Sequence, residues 1–260
     1  MAGATLEALA AGLPLWAVAT LVAVSAATSF LTAAFGLGGG VIMLAAMASL
    51  VPPAALVPVH GVVQIGSNAG RALIRRRDVR LGVLLPFAAG SLVGAAAGGF
   101  VAVRLPDWVF QLALGAFVLW SAWGRPPAFR GRAVLTLGGA FSTFLTMFIG
   151  ATGPFVAAVV KTLELGRFQH VGTLAACMTI QHGLKIAAFA LLGFAYAPWL
   201  PLAAAMIASG FLGTLLGQRF LARLGDARFH RVLSVILTLL ALRLIWTGLS
   251  TLFAAPSATS

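Results

Sequence analysis

Six polar side chains recur at four-residue spacing inside apolar sequence. They are His60, Gln64 and Asn68 and, 117 residues later, Cys177, Gln181 and Lys185. Four residues return a helix to the same face, so each trio forms one stripe. A polar group facing hydrocarbon without a partner costs about 2–7 kcal/mol, so the stripes should face each other or a shared cavity. Gln64 and Gln181 are identical partners under this alignment, and Lys185 is the one lysine deep within a long apolar run. An ammonium flanked by two amides can hold an anion through charge-assisted hydrogen bonds. The competing use of the same side chains is hydrogen bonding between helices. His182, adjacent to Gln181, is turned about 100° from the stripe and reads as a packing histidine.

Two glycine-rich breaks accompany the stripes. Gly36-Leu37-Gly38-Gly39-Gly40 matches Gly150-Ala151-Thr152-Gly153-Pro154 at an offset of 114. Glycines let the chain turn and approach a ligand closely, and a helix starting there presents free N–H groups at its positive dipole end. Proline is favoured near the first position of a helix, where Pro154 stands. The candidate anion site is therefore Gly36, Gly38, Gly39, Gly40, His60, Gln64 and Asn68 from one half, with Gly150, Thr152, Gly153, Gln181 and Lys185 from the other. The alternative is that the glycines only permit close helix packing.

The missing residues narrow the chemistry. The five acids, Glu7, Asp78, Asp107, Glu164 and Asp226, all fall near segment ends. Cation and proton-coupled carriers usually keep a carboxylate within the membrane, so an anionic solute is the simpler expectation. No H-E-x-x-H, G-x-S-x-G, Walker or Cys-pair motif occurs, so neither an enzyme nor a bound cofactor or metal is expected. Cys177 is the single cysteine, which rules out a disulfide within the chain.

The elements that must carry these residues follow from composition. Of 260 residues 61% are hydrophobic and 8% are charged, against roughly 25% charged in a soluble domain. Apolar runs repeatedly exceed the roughly 20 residues that cross a bilayer as a helix, and no alternating strand pattern is present. Helices are expected near 15–35, 55–74, 81–103, 108–123, 133–149, 168–194, 199–222 and 229–252. Short segments of about 41–51 and 155–163 follow the breaks and are too brief to span. The net charge of +12 lies in short loops, where anionic lipid explains it better than nucleic acid does. Arg71–Arg80, Arg125–Arg132 and Arg219–Arg231 mark three cytoplasmic loops (71–80, 124–132 and 219–231) by the positive-inside rule. Lys161, Glu164 and Arg167 read as a further solvated loop. Glu7 in place of a basic leader suggests a retained first helix.

Gly94-Ala95-Ala96-Ala97-Gly98 and Gly213-Thr214-Leu215-Leu216-Gly217, with the Arg-Leu step, Asp and Phe that follow them, match at an offset of 119. The basic loop falls one helix later in the second half than in the first. The expected fold is therefore an all-α polytopic membrane protein of two inverted repeats, 1–126 and 127–260, with no soluble domain. Each repeat has a long helix, a glycine break, a short half-length or re-entrant helix and three further transmembrane helices. Both termini would face outward from the inner membrane, and a homodimer is the default assembly. Broken helices at matching positions of inverted halves point to a secondary transporter.

On Phe35-Gly36-Leu37-Gly38-Gly39-Gly40, the Pro-ended short segment, the polar helix, Arg75-Arg76-Arg77-Asp78 and the companion motif at 150–154, the chain resembles the sulfite exporter TauE/SafE family of membrane permeases. The resemblance implies movement of a small sulfur-bearing anion such as sulfite, sulfoacetate or a related sulfonate, commonly outward. The remaining alternatives are an anion channel, an uptake permease for another anion, a membrane-embedded enzyme and a non-transporting subunit.

Overall fold

The computed structural model describes residues 12–100 and 131–254, with positions 112, 115, 116, 119 and 123 between them. The helix expected over 108–123 lies outside the described residues apart from those five positions. Glu7, Arg104, Asp107, Trp108, Arg125 and Arg130 lie outside them as well.

The described residues are helical, with no strand among them. The helices are α1 (Leu15–Phe35), α2 (Gly39–Ala48), α3 (Pro53–Ile74), α4 (Leu81–Phe100), α5 (Arg132–Ile149), α6 (Gly153–Lys161), α7 (Arg167–Leu191), α8 (Leu200–Ala222) and α9 (Asp226–Ala254). Six of them are long and apolar enough to cross a bilayer: α1, α4, α5, α7, α8 and α9. α3 has the length, at 22 residues, but its polar stripe and Arg71 lower its hydropathy. α2 and α6, of 10 and 9 residues, rise only about 15 Å and cannot span alone.

The two breaks close their long helices in the same way. Gly36, at φ 86°, donates its N–H to the Thr32 carbonyl at 2.9 Å. Gly150, at φ 83°, donates to the Thr146 carbonyl at 3.1 Å. This left-handed backbone strains any residue with a Cβ, which accounts for a glycine at both corners. Each short helix then begins three residues on, two residues earlier than the sequence pattern suggested. At α2 the early start has a visible cause: Thr32 Oγ1 accepts the Gly39 N–H at 3.1 Å and holds the first turn.

Helices in lipid associate by close packing rather than by exclusion of water, so the depth of approach matters. α1 lies along α8, and α4 lies along α5. At Gly213 the Ala26 carbonyl occupies the space a Cβ would need, and at Gly94 the Ala140 carbonyl does the same. The arrangement exchanges between the halves. α1 meets α2 as α5 meets α6, and α3 meets α8 as α7 meets α4, while α3 and α7 pack on each other in the middle. One apolar cluster joins Leu21, Met43, Met47, Val59, Leu202 and Met206, and another gathers Phe87, Leu145, Val156, Leu174, Phe229 and Leu237. Large apolar residues such as Leu85, Leu191, Trp246 and Phe253 point outward.

Arg71 departs from the expected loop assignment, because it lies inside α3 and is only 2% exposed. The expected loop at 219–231 is mostly helix, with Arg219 on α8 and Arg228 and Arg231 on α9, around a short turn at 223–225. Lys161 ends α6 and donates to Ser234 Oγ at 3.1 Å, and Glu164 sits in the turn that follows.

Candidate functional site

Between the two breaks lies a cavity walled by α3 on one side and α7 on the other. α3 contributes His60, Gln64 and Asn68, and then Arg71. The spacing of four, four and three keeps all four side chains on one helix face over about 16 Å of rise. Their polar heads are linked. Arg71 Nη2 donates to Asn68 Oδ1 at 2.6 Å and Nη1 to Ser67 Oγ at 3.0 Å. Asn68 Nδ2 donates to the Gln64 carbonyl at 2.8 Å, and the Gln64 amide lies against Gly40. Ser67 also meets Ser29 Oγ of α1 at 2.9 Å.

The guanidinium cannot shed its proton, and two of its five donor hydrogens are engaged by these neutral oxygens. No carboxylate among the described residues pairs with it. Asp78 pairs with Arg75 in a turn and Asp226 pairs with Arg167 at the start of α9. A buried cation without a counter-ion is strongly disfavoured, so the cavity wants negative charge. The short helices reinforce this. Gly38, Gly40 and Val41 at the start of α2, and Ala151, Gly153 and Pro154 at the start of α6, all line the cavity. Each helix turns its positive dipole end toward the same space.

The twelve residues expected from the sequence separate into two groups. Gly36, Gly38, Gly40, His60, Gln64, Asn68 and Gly153 line the cavity. Gly39, Gly150, Thr152, Gln181 and Lys185 do not line it and sit behind the wall. Gly39 has no room beside the Thr28 carbonyl. Lys185 Nζ donates to the Gly150 carbonyl at 3.2 Å, and Thr146 Oγ1 donates to the same oxygen at 3.1 Å. Gln181 Nε2 donates to Thr152 Oγ1 at 2.5 Å, and Thr152 Oγ1 donates to the Ser142 carbonyl at 3.2 Å. Gly150, Thr152, Gln181 and Lys185 belong to or brace the second break, and Gly39 packs against α1 in the first.

Two residues on the cavity were not expected there. His182 lines the wall, and its ring packs edge-on against that of His60 at 6.1 Å between centroids. The 100° offset from Gln181 turns it toward the cavity because the stripe itself faces the second break. Arg71 was masked by its neighbours in the basic run ending at Arg80. The available signal was its place three residues after Asn68, continuing the stripe.

Beyond Arg71, the basic end of the bundle is tied shut. Arg75 donates to Gln218 of α8 at 2.5 Å, and its guanidinium lies 4.2 Å from the centre of the Phe168 ring. Arg167 lies 4.3 Å from the same ring and bonds Asp226 at 2.7 Å. The cavity is small, with room for a few waters or one small solute.

Residues 21–244 match the model of the sulfite exporter TauE/SafE family. The chain belongs to that family. It is accordingly a multi-pass membrane transporter and not an enzyme. No curated protein and no solved structure matches the chain.

Proposed function

We propose that this TauE/SafE chain exports a compact sulfur oxyanion, with sulfite as the reference substrate, by alternating access around the cavity. The observation that carries the proposal is Arg71, a permanently charged guanidinium on the cavity wall with no described carboxylate partner. The anion would accept from Arg71, from the Gln64 and Asn68 amides, and from the N–H groups that open α2 and α6. Lys185 and Gln181 would act indirectly by holding the second break at its working depth. Export down the membrane potential gains about 2.3 kcal/mol per anionic charge per 100 mV.

In this reading residues 1–126 and 127–260 are inverted halves in the inner membrane, with the basic turns cytoplasmic and both termini outside. The recurrence of the α1–α8 and α4–α5 packings supports the pairing, and the placing of Arg and Lys supports the orientation. Rocking one set of helices against the other would open the cavity to each side in turn.

The test is thermal stabilisation of the purified protein by sulfite, sulfoacetate, taurine, thiosulfate, sulfate, acetate and chloride. An anion at a hundredfold over its Kd stabilises by about 2.7 kcal/mol. Sulfite should give the largest shift, and Arg71→Gln should abolish it. A shift produced by neutral or cationic solutes and by no anion would overturn the proposal.

A further inference from the structure

We propose that His60 and His182 form a proton-binding pair on the cavity wall and that one proton is bound with each anion; this rests on the anion reading above. Both rings are buried, at 0% and 1% exposure, and both line the cavity. They come from opposing helices, α3 and α7, with ring centroids 6.1 Å apart. His60 Nε2 contacts the Gly40 carbonyl at 3.0 Å. A carbonyl only accepts, so Nε2 carries the hydrogen and Nδ1 carries the lone pair. Neither His60 Nδ1 nor His182 Nδ1 has a hydrogen-bond partner.

The Gly40 bond leaves His60 Nδ1 as an acceptor, and His182 brings a second imidazole to the same cavity wall. The other titratable groups near them are Arg71 on α3 and Lys185 and Cys177 on α7. Arg71 cannot give up its proton, Lys185 is directed to the Gly150 carbonyl, and Cys177 is buried away from the cavity wall. α2 and α1 bring no described titratable side chain to the pair, and Lys161 of α6 is turned to Ser234. The described carboxylates sit in turns or at the first residue of α9. A proton that enters this site therefore has two imidazoles to receive it.

The step is a simple proton transfer. On the side where the anion loads, a hydronium ion gives a proton to an imidazole ring nitrogen, its O–H bond breaking as the N–H bond forms and a neutral water remaining. When anion and proton leave, the N–H bond breaks and a water carries the proton off as hydronium. No electrons change hands. At this separation two imidazolium charges repel, so the pair holds one proton rather than two. His60 is anchored to the first turn of α2, so its protonation also reaches the break that contributes to the site.

The experiment measures sulfite affinity of the purified protein by calorimetry from about pH 5 to pH 8, the range in which histidine changes charge. Wild type is compared with the His60→Gln/His182→Gln double variant. Sulfite's own titration is common to both proteins, so the difference in slope belongs to the pair. One proton bound with each anion makes log affinity in wild type fall with pH more steeply by about one unit per pH unit. Calorimetry in buffers of different ionisation enthalpy should likewise give one more proton taken up per anion in wild type than in the variant. Equal slopes and equal proton counts would overturn the inference while leaving the anion site standing. Absence of sulfite binding to wild type would overturn the anion reading and this inference together. If that double variant does not fold, His60→Asn/His182→Asn removes both imidazoles with a different pair of side chains and gives the same comparison.

Discussion

The two polar stripes begin as near copies in sequence and end in different work. In the first half, His60, Gln64, Asn68 and Arg71 turn their heads into the cavity. In the second half, Gln181 and Lys185 turn theirs into the backbone of the neighbouring break, at Thr152 and Gly150. The first break is held by Thr32 Oγ1 of its own long helix at the Gly39 N–H and by His60 of α3 at the Gly40 carbonyl. The second is held by Thr146 Oγ1 of its own long helix at the Gly150 carbonyl, with Lys185 and Gln181 of α7 added at Gly150 and Thr152. The same residue type at duplicated positions therefore takes different places: Gln64 lines the cavity and Gln181 bonds Thr152 behind it.

The most direct way to break this comparison is to remove one buried cation from each half. Arg71→Met should lower sulfite affinity by about 30-fold to several thousandfold, the 2–5 kcal/mol expected when one side of a buried charge pair is lost. Its melting temperature should hold or rise, because an apolar replacement removes an uncompensated buried charge. Lys185→Met should differ in affinity, which should fall less than tenfold. The Gly150 carbonyl loses one of its two side-chain donors, at about 1 kcal/mol, and loss of a buried charge offsets part of that cost. If Lys185→Met abolished binding while Arg71→Met spared it, recognition would belong to the second half and the assignment would be inverted.

The breaks themselves offer an intermediate test. Gly36→Ala and Gly150→Ala each force a Cβ onto left-handed backbone, at about 1–2 kcal/mol. The added atom would lie 3.2 Å from the Phe229 ring in the first case and 3.0 Å from a Leu44 methyl in the second. A leucine side chain yields more readily than a packed ring, so Gly36→Ala should melt at the lower temperature of the two. Equal losses would mean that backbone strain alone sets the cost.

The contrast between the halves also explains how far the sequence could be read. Helix positions were legible because apolar runs, glycine breaks and prolines are local signals, and α1 and α5 fall within a residue of their expected ends. The stripes were legible as faces, because helical spacing fixes which side chains travel together. What each face meets was not, since that depends on which helix packs opposite. Lys185 drew attention as a charge in an apolar run, yet the nearest acceptor is a carbonyl 35 residues back. Arg71 drew none, because four more arginines follow within nine residues and resemble a solvated loop. Only the packing of α3 against α2, α7 and α8 reveals that the first of the five is buried.

The smallest effect should come from the basic end, where Arg167 of α7 pairs with Asp226 of α9 within the second half. Their bond is short, at 2.7 Å, but the side chains are 22% and 55% exposed. Solvent and salt screen such a pair, so Asp226→Asn should cost between about 0.2 and 1 kcal/mol in thermal stability, and less at high salt. Sulfite affinity should not change, since the pair lies outside the cavity. The rate of transport in proteoliposomes is the sharper readout. Arg167 and Arg75 both lie on the Phe168 ring, so the pair helps to close this end. If closure here limits the cycle, Asp226→Asn should raise the transport rate at unchanged affinity. An unchanged rate would mean that the basic end stays packed throughout the cycle and that the moving contacts lie at the breaks.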